Sequence, residues 1–117
     1  DRIQANVGVT IRVNDEDKEE VFISAGEHWY EVGRTKELLL HETDIVPIWV
    51  EQITKRSRTN ADLKLQGLSV KNGRMTRIAL TIKMTSEKTV LFVVKDLGFG
   101  EIYPSTGLEW KEEWNLD

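Results

Sequence analysis

Arg77-Ile78-Ala79-Leu80-Thr81-Ile82-Lys83-Met84, then Thr85-Ser86-Glu87-Lys88, then Val90-Leu91-Phe92-Val93-Val94 reads as a β-hairpin. In the first arm Ile78, Leu80, Ile82 and Met84 alternate with Arg77, Ala79, Thr81 and Lys83, the two-residue period of a strand with one buried face. The polar tetrad supplies the turn, and the second arm is apolar on both faces, as a strand in the middle of a packed sandwich would be. Both arms are rich in β-branched residues, which suit a pleated surface. Ile78, Leu80, Ile82, Leu91 and Val93 are expected to form the hairpin core, because the alternation admits one buried face per strand.

Working outward, Val7, Val9, Ile11 and Val13 alternate with Gly8, Thr10 and Arg12, a second half-buried strand. The acidic stretch Asn14-Asp15-Glu16-Asp17-Lys18-Glu19-Glu20 has turn formers and no apolar side chain, so a solvated loop is expected before Val21-Phe22-Ile23. Short strands are expected at Trp29-Tyr30-Glu31-Val32 and Ile45-Val46-Pro47-Ile48-Trp49-Val50. Pro47 cannot donate to a ladder and belongs at an edge or bulge. Leu38-Leu39-Leu40 fits a helix or a strand. The tail Leu108 to Trp114 fits a last strand, the preferred reading, or one and a half turns of helix stacking Trp110 on Trp114. Eight or so short strands with glycine turns, without a long amphipathic helix, predict an all-β antiparallel β-sandwich, with residues 1–117 as one domain.

The chain has 117 residues, 39% hydrophobic and 31% charged, which is globular in composition and enough for one core. No apolar run approaches the ~20 residues of a membrane helix, and no membrane partner is expected. The first residues carry neither a secretory nor a mitochondrial targeting pattern, and the start without Met points to a fragment of a longer protein. With no cysteine there is no disulfide, thiol nucleophile or thiolate metal site, and a cytoplasmic location fits best. The net charge of −4 argues against bulk binding to phosphate backbones. It is unevenly spread: Lys55, Arg56, Arg58, Lys64, Lys71, Arg74 and Arg77 face the single acid Asp62 between Ile53 and Arg77. No base-stacking aromatic is interleaved with these cations, so a solvated edge is preferred to a nucleic-acid site.

Catalytic chemistry finds little to build on. His28 and His41 are the only imidazoles, and neither has a partner at metal-ligand spacing. The carboxylates cluster in a loop and near the C-terminus, where exposed acids serve solubility. Gly98-Phe99-Gly100 lacks the third glycine and the following helix of a phosphate-binding turn, so these are read as tight-turn glycines. Neither an enzyme, a metal site nor a cofactor is expected. Of the four tryptophans, Trp29 and Trp49 lie in apolar segments and are read as core; Trp110 and Trp114 sit among charges as candidates for an exposed platform.

The order of features resembles the substrate-binding β-domain of the seventy-kilodalton heat-shock, or DnaK-like, chaperones over residues 6–96. Leu63-Lys64-Leu65-Gln66-Gly67-Leu68 is similar to that family's strand and glycine turn. Ile78 to Ile82 and Val90 to Asp96 follow in the family's order, and Val7-Gly8-Val9 is similar to its opening "Leu-Gly-Ile". Ile45 to Gln52 is similar to the family's strand ending in "Val-x-Gln". The resemblance implies a channel that grips an extended or unfolded polypeptide through backbone hydrogen bonds and one aliphatic pocket, formed here by Val9, Ile11, Arg12, Val46 and Ile48. It also implies an ATPase domain elsewhere in the full-length protein. The chain departs from the family in three respects. Acidic residues replace the glycine pair after the first strand and Arg12 stands at the arch position; Leu97 to Asp117 has no counterpart; and neither the ATPase domain nor the helical lid falls within these residues, so nucleotide control is expected outside them. The expected function is therefore a non-catalytic polypeptide-binding module. The alternatives are a scaffold or oligomerisation sandwich, or a carbohydrate-binding module using the tryptophans.

Overall fold

The computed structural model describes residues 2–116. Ten strands are laid down in chain order: β1 (Ala5–Val13), β2 (Glu16–Ile23), β3 (Gly33–His41), β4 (Ile45–Val46), β5 (Ile48–Gln52), β6 (Ser57–Asn60), β7 (Leu63–Lys64), β8 (Met75–Ser86), β9 (Thr89–Gly98) and β10 (Glu109–Asn115). They make two four-stranded antiparallel sheets, β2-β1-β5-β6 and β10-β9-β8-β3, with β4 and β7 as a separate pair. The inner faces of the two sheets meet in one hydrophobic core, and the fold is an all-β sandwich. The helical content of the described residues is one 3-10 turn, Trp29–Glu31, where the apolar pattern had predicted a strand.

The β8–β9 hairpin forms with a register that corrects one expectation. Leu80 lies opposite Val94, Ile82 opposite Phe92 and Met84 opposite Val90, and residues directly opposite share a face. Val90, Phe92 and Val94 are therefore buried with Ile78, Leu80, Ile82 and Met84. Leu91 and Val93, opposite Lys83 and Thr81, point outward and are half-buried.

The acidic loop is also corrected. Only Asn14 and Asp15 turn, both at positive φ (52° and 63°), and Glu16 to Glu20 already belong to β2. Two central residues of that conformation match the right-handed twist of the flanking strands, and Asn and Asp tolerate it best after glycine. The first half of β2 can be charged because β2 is an edge strand, where charge discourages pairing with other chains.

Trp110 and Trp114 do not form a platform. They lie opposite Val94 and Val90, pack partly buried against the core, and Trp110 donates its indole N–H to the Gln66 carbonyl at 2.9 Å. Trp29 also packs partly buried on the core. Trp49 is buried on the outer face of its sheet, with the Arg58 guanidinium 4.6 Å above its ring. Three of the seven cations of the basic run are paired as well: Arg58 with Glu19, Lys64 with Asp44 and Arg77 with Glu37.

Two charged fasteners join edge strands β2 and β3 across the sandwich. Arg34 donates to both Glu27 oxygens (2.5 and 3.1 Å) and to the Phe22 carbonyl (2.6 Å), and Lys36 pairs with Glu20 at 2.8 Å. The hydrogen bond from Arg34 holds the Glu27 carboxyl below its ordinary pKa. At the end of β9, buried Asp96 accepts from the Gly98 N–H (2.9 Å), the Thr106 N–H (3.0 Å) and the Thr106 hydroxyl (2.6 Å). Burial acts to raise its pKa, but these hydrogen bonds and the charge of Arg74 outweigh it, and the net shift is downward.

Both lowered carboxyls stabilise the fold fully above the ordinary carboxylate range of about pH 4 and lose that contribution as pH falls through their lower folded-state values. Denaturant melts from about pH 6 to about pH 2 should show stability declining at the acid end. Glu27→Gln and Asp96→Asn should each flatten that decline. Acid-limb profiles parallel to the parent in both variants would show that neither carboxylate contributes to it.

Candidate functional site

The pairing of β1 with β5 runs from Ala5 opposite Gln52 to Val9 opposite Ile48 and stops there. Thr10 still donates to the Pro47 carbonyl at 2.9 Å, but Pro47 has no N–H to return. Beyond Pro47 the chain leaves β1. β4 pairs instead with β7, Ile45 opposite Lys64 and Val46 opposite Leu63, and the Leu65 N–H bonds to the Asp44 carbonyl at 2.7 Å. A wedge opens between the outer half of β1 and β4, closed on its third side by Glu37 to His41 of β3.

The resulting groove has a volume of about 830 Å³. Its floor is apolar and buried, with Val9 and Val46 from one sheet region and Leu40 from the other. Ile11, Leu38 and Met75 form half-buried walls. The rim carries Val13, Leu39 and Ile45 at 36%, 51% and 40% exposure. Contiguous exposed apolar surface of this kind marks interaction sites, because a folded chain otherwise covers or disperses it.

Backbone groups add polarity to this apolar surface. Thr10 directs its N–H toward the β5 side, and the two-residue period of a strand sends the Arg12 N–H and C=O the same way. Among the described residues no strand pairs with that edge from Ile11 to Val13. The Arg12 side chain is held by its own hairpin, 3.2 Å from the Asp17 carboxylate and 3.0 Å from the Asp15 carbonyl. His41 stands on the opposite rim, 3.0 Å from Glu42.

Of the residues assigned to a channel from sequence, Val9, Ile11, Arg12 and Val46 line this groove together. Ile48 does not. It is wholly buried in the sandwich core, where its pairing with Val9 places it. The β3 wall and Ile45 were missed, because the run Leu38-Leu39-Leu40 fits a helix or a strand and does not say which strand edge it borders. Among the described residues no three His, Asp or Glu side chains converge as metal ligands would.

A family model, described as "Domain of unknown function (DUF8552)", matches residues 2–116. No curated protein and no solved structure matches the chain. With the match running through the whole described sandwich, the chain belongs to the DUF8552 domain family.

Proposed function

We propose that this domain is a non-catalytic polypeptide-binding module whose groove takes an extended segment by strand addition to the open edge of β1. The observation that carries the reading is the coincidence of that edge at Arg12 with an apolar floor and rim. Strand addition supplies affinity through backbone bonds with little regard for sequence, and an apolar pocket selects an aliphatic side chain. Because β1 and β4–β5 run in opposite directions, an inserted segment lies antiparallel to one wall and parallel to the other.

The kinship with DnaK-like substrate-binding domains is part of the same proposal. It draws support from where the resembling features fall: Val7-Gly8-Val9 on β1, Ile48 to Gln52 on β5, Leu63-Lys64 on β7, and the hairpin on β8 and β9. On this reading an ATPase domain belongs to the full-length protein, and the location is cytoplasmic. The carbohydrate alternative loses weight because Trp49 is buried and the other three tryptophans pack against the core.

A test must avoid the floor, since Val46 is fully buried and a larger side chain there threatens the fold itself. Ile45→Asp and Leu39→Asp change exposed rim positions instead. Fluorescence anisotropy with short labelled peptides carrying a central Leu should give micromolar or weaker affinity, because one pocket and a few backbone bonds must offset the ordering of a flexible ligand. Each variant should weaken binding by about tenfold without lowering the melting temperature. If no peptide in a library binds below ~1 mM, polypeptide binding is excluded and the scaffold reading takes its place.

A further inference from the structure

Two features singled out in the sequence are not used by the groove: the basic run ending at Arg77, and the connection from Gly98 to Gly107. The fold brings them together at one end of the sandwich. The connection is anchored at its base. Asp96 bonds to Gly98 and Thr106, and the Ser105 hydroxyl bonds to the Asp96 carbonyl at 2.6 Å. Gly98 sits at φ +72°, where a Cβ would stand 2.4 Å from the Ser105 nitrogen and 2.5 Å from the Tyr103 oxygen. Any larger residue would force this base apart.

Above the base, the Phe99 N–H bonds to the Tyr103 carbonyl at 2.6 Å and the Tyr103 N–H bonds back at 3.4 Å, closing a three-residue tip, Gly100-Glu101-Ile102. On this braced tip Ile102 is 82% exposed and Phe99 39%. A large aliphatic side chain so exposed on a chain segment so well fixed is not explained by packing.

The neighbouring loop supplies cations. The Arg74 guanidinium lies 4.8 Å from the Tyr103 ring centre, the Arg74 backbone N–H bonds to the Lys71 carbonyl at 3.0 Å, and the Arg77 side chain reaches the Gly98 carbonyl at 3.3 Å. Val70, beside Lys71, is also exposed. Glu101 is the one acid of the tip, and Glu37 is already tied to Arg77. The surface is thus an apolar point beside Lys71 and Arg74, with Arg77 already paired to Glu37 and Glu42 held next to Arg74.

We propose that this end of the sandwich docks peripherally on an anionic membrane surface, Ile102 and Phe99 entering the headgroup layer while Lys71 and Arg74 face the lipid charges. The shape favours a bilayer over a protein. A specific protein interface covers roughly 800 Å² per partner, whereas a membrane is bound by a few inserted side chains and nearby cations. Among the described residues no helix is long and apolar enough to cross a membrane, and peripheral docking needs none. The rigid base lowers the ordering cost of insertion. This inference stands apart from the peptide groove and does not depend on it.

The test is co-sedimentation of the 117-residue chain with vesicles of phosphatidylcholine containing about 30% phosphatidylserine, against pure phosphatidylcholine. The chain should partition onto the anionic vesicles only, and the partitioning should fall as salt rises from ~0.1 M to ~1 M and the Debye length shrinks from about 10 Å to about 3 Å. Ile102→Asp should reduce partitioning about tenfold and Lys71→Glu about fivefold or more, with melting temperatures unchanged because both positions are exposed. No partitioning onto anionic vesicles, or equal partitioning of Ile102→Asp and the parent, overturns the proposal. Self-association in sedimentation velocity that Ile102→Asp abolishes, without vesicle binding, also overturns it and makes the tip a protein contact.

Discussion

Leu80→Ala is expected to cost about 2–5 kcal/mol of stability, the range for a truncated core leucine whose surroundings close only partly over the void. Leu80 is fully buried in the centre of β8, between Val94 on one neighbouring strand and Lys36 on the other. The two sheets hold its surroundings from both sides, so collapse into the cavity is restricted and the upper part of the range applies. Leu91→Ala on the adjacent strand should cost no more than about 1 kcal/mol, because that side chain faces outward. The pair tests the register as well as the core. Urea melts should show a shifted midpoint at constant slope for Leu80→Ala and a small shift for Leu91→Ala. A loss below ~1 kcal/mol at Leu80, or equal losses at the two positions, would overturn the facing described here.

That register also shows what the sequence could carry. The arms of the hairpin were legible because Ile78, Leu80, Ile82 and Met84 alternate. The buried face of β9 was not, because Val90 to Val94 is apolar throughout and both parities fit the pattern equally. The turn at Glu87-Lys88, which sets Ser86 opposite Thr89, decides it only together with the register shift between Met84 and Ser86, which brings Met84 opposite Val90 instead of Leu91. The Asn14 to Glu20 stretch was misread for the converse reason. An edge strand that carries charge on both faces has no apolar period, so only its turn residues were visible.

At the groove, Val9, Ile11 and Val46 were reached through a resemblance of ordered motifs rather than from their own chemistry, since each also reads as plain core. Ile48 shows that ambiguity resolved the other way: one residue past Pro47, the same kind of side chain is sealed inside the sandwich. Leu38 to Leu40 were invisible as a wall because which strand edge borders which is a property of sheet order, which no local pattern holds. The tryptophans failed similarly. Flanking charges suggested exposure for Trp110 and Trp114, yet on this edge strand the two rings turn inward opposite Val94 and Val90 while the charges around them stay exposed.

Gly8→Ala is the second large effect, expected to cost about 3 kcal/mol. A Cβ at Gly8 would stand 2.2 Å from the Glu20 carbonyl and 2.5 and 2.9 Å from two atoms of the Trp49 indole. Neither neighbour yields easily. The carbonyl belongs to the paired strand beside a register shift, and the indole is buried beneath Arg58, which is itself paired with Glu19. Trp49→Leu removes the ring contact and leaves the carbonyl contact, so the two obstacles can be separated by a double-mutant cycle. Trp49→Leu alone should destabilise, since it withdraws a large buried ring from the outer face of the sheet. In combination, the cost of Gly8→Ala should shrink by ~1 kcal/mol or more but should not vanish, because the Glu20 oxygen still blocks the methyl group. Strict additivity would mean that the indole does not press on Gly8, and the smallest residue at this position would then be required by the strand pairing alone. Complete rescue would mean the reverse, that β2 yields and the ring is the whole constraint. The intermediate result follows from the geometry, and it would establish Gly8 as the point where the β1–β2 pairing and the Trp49–Arg58 stack share one gap.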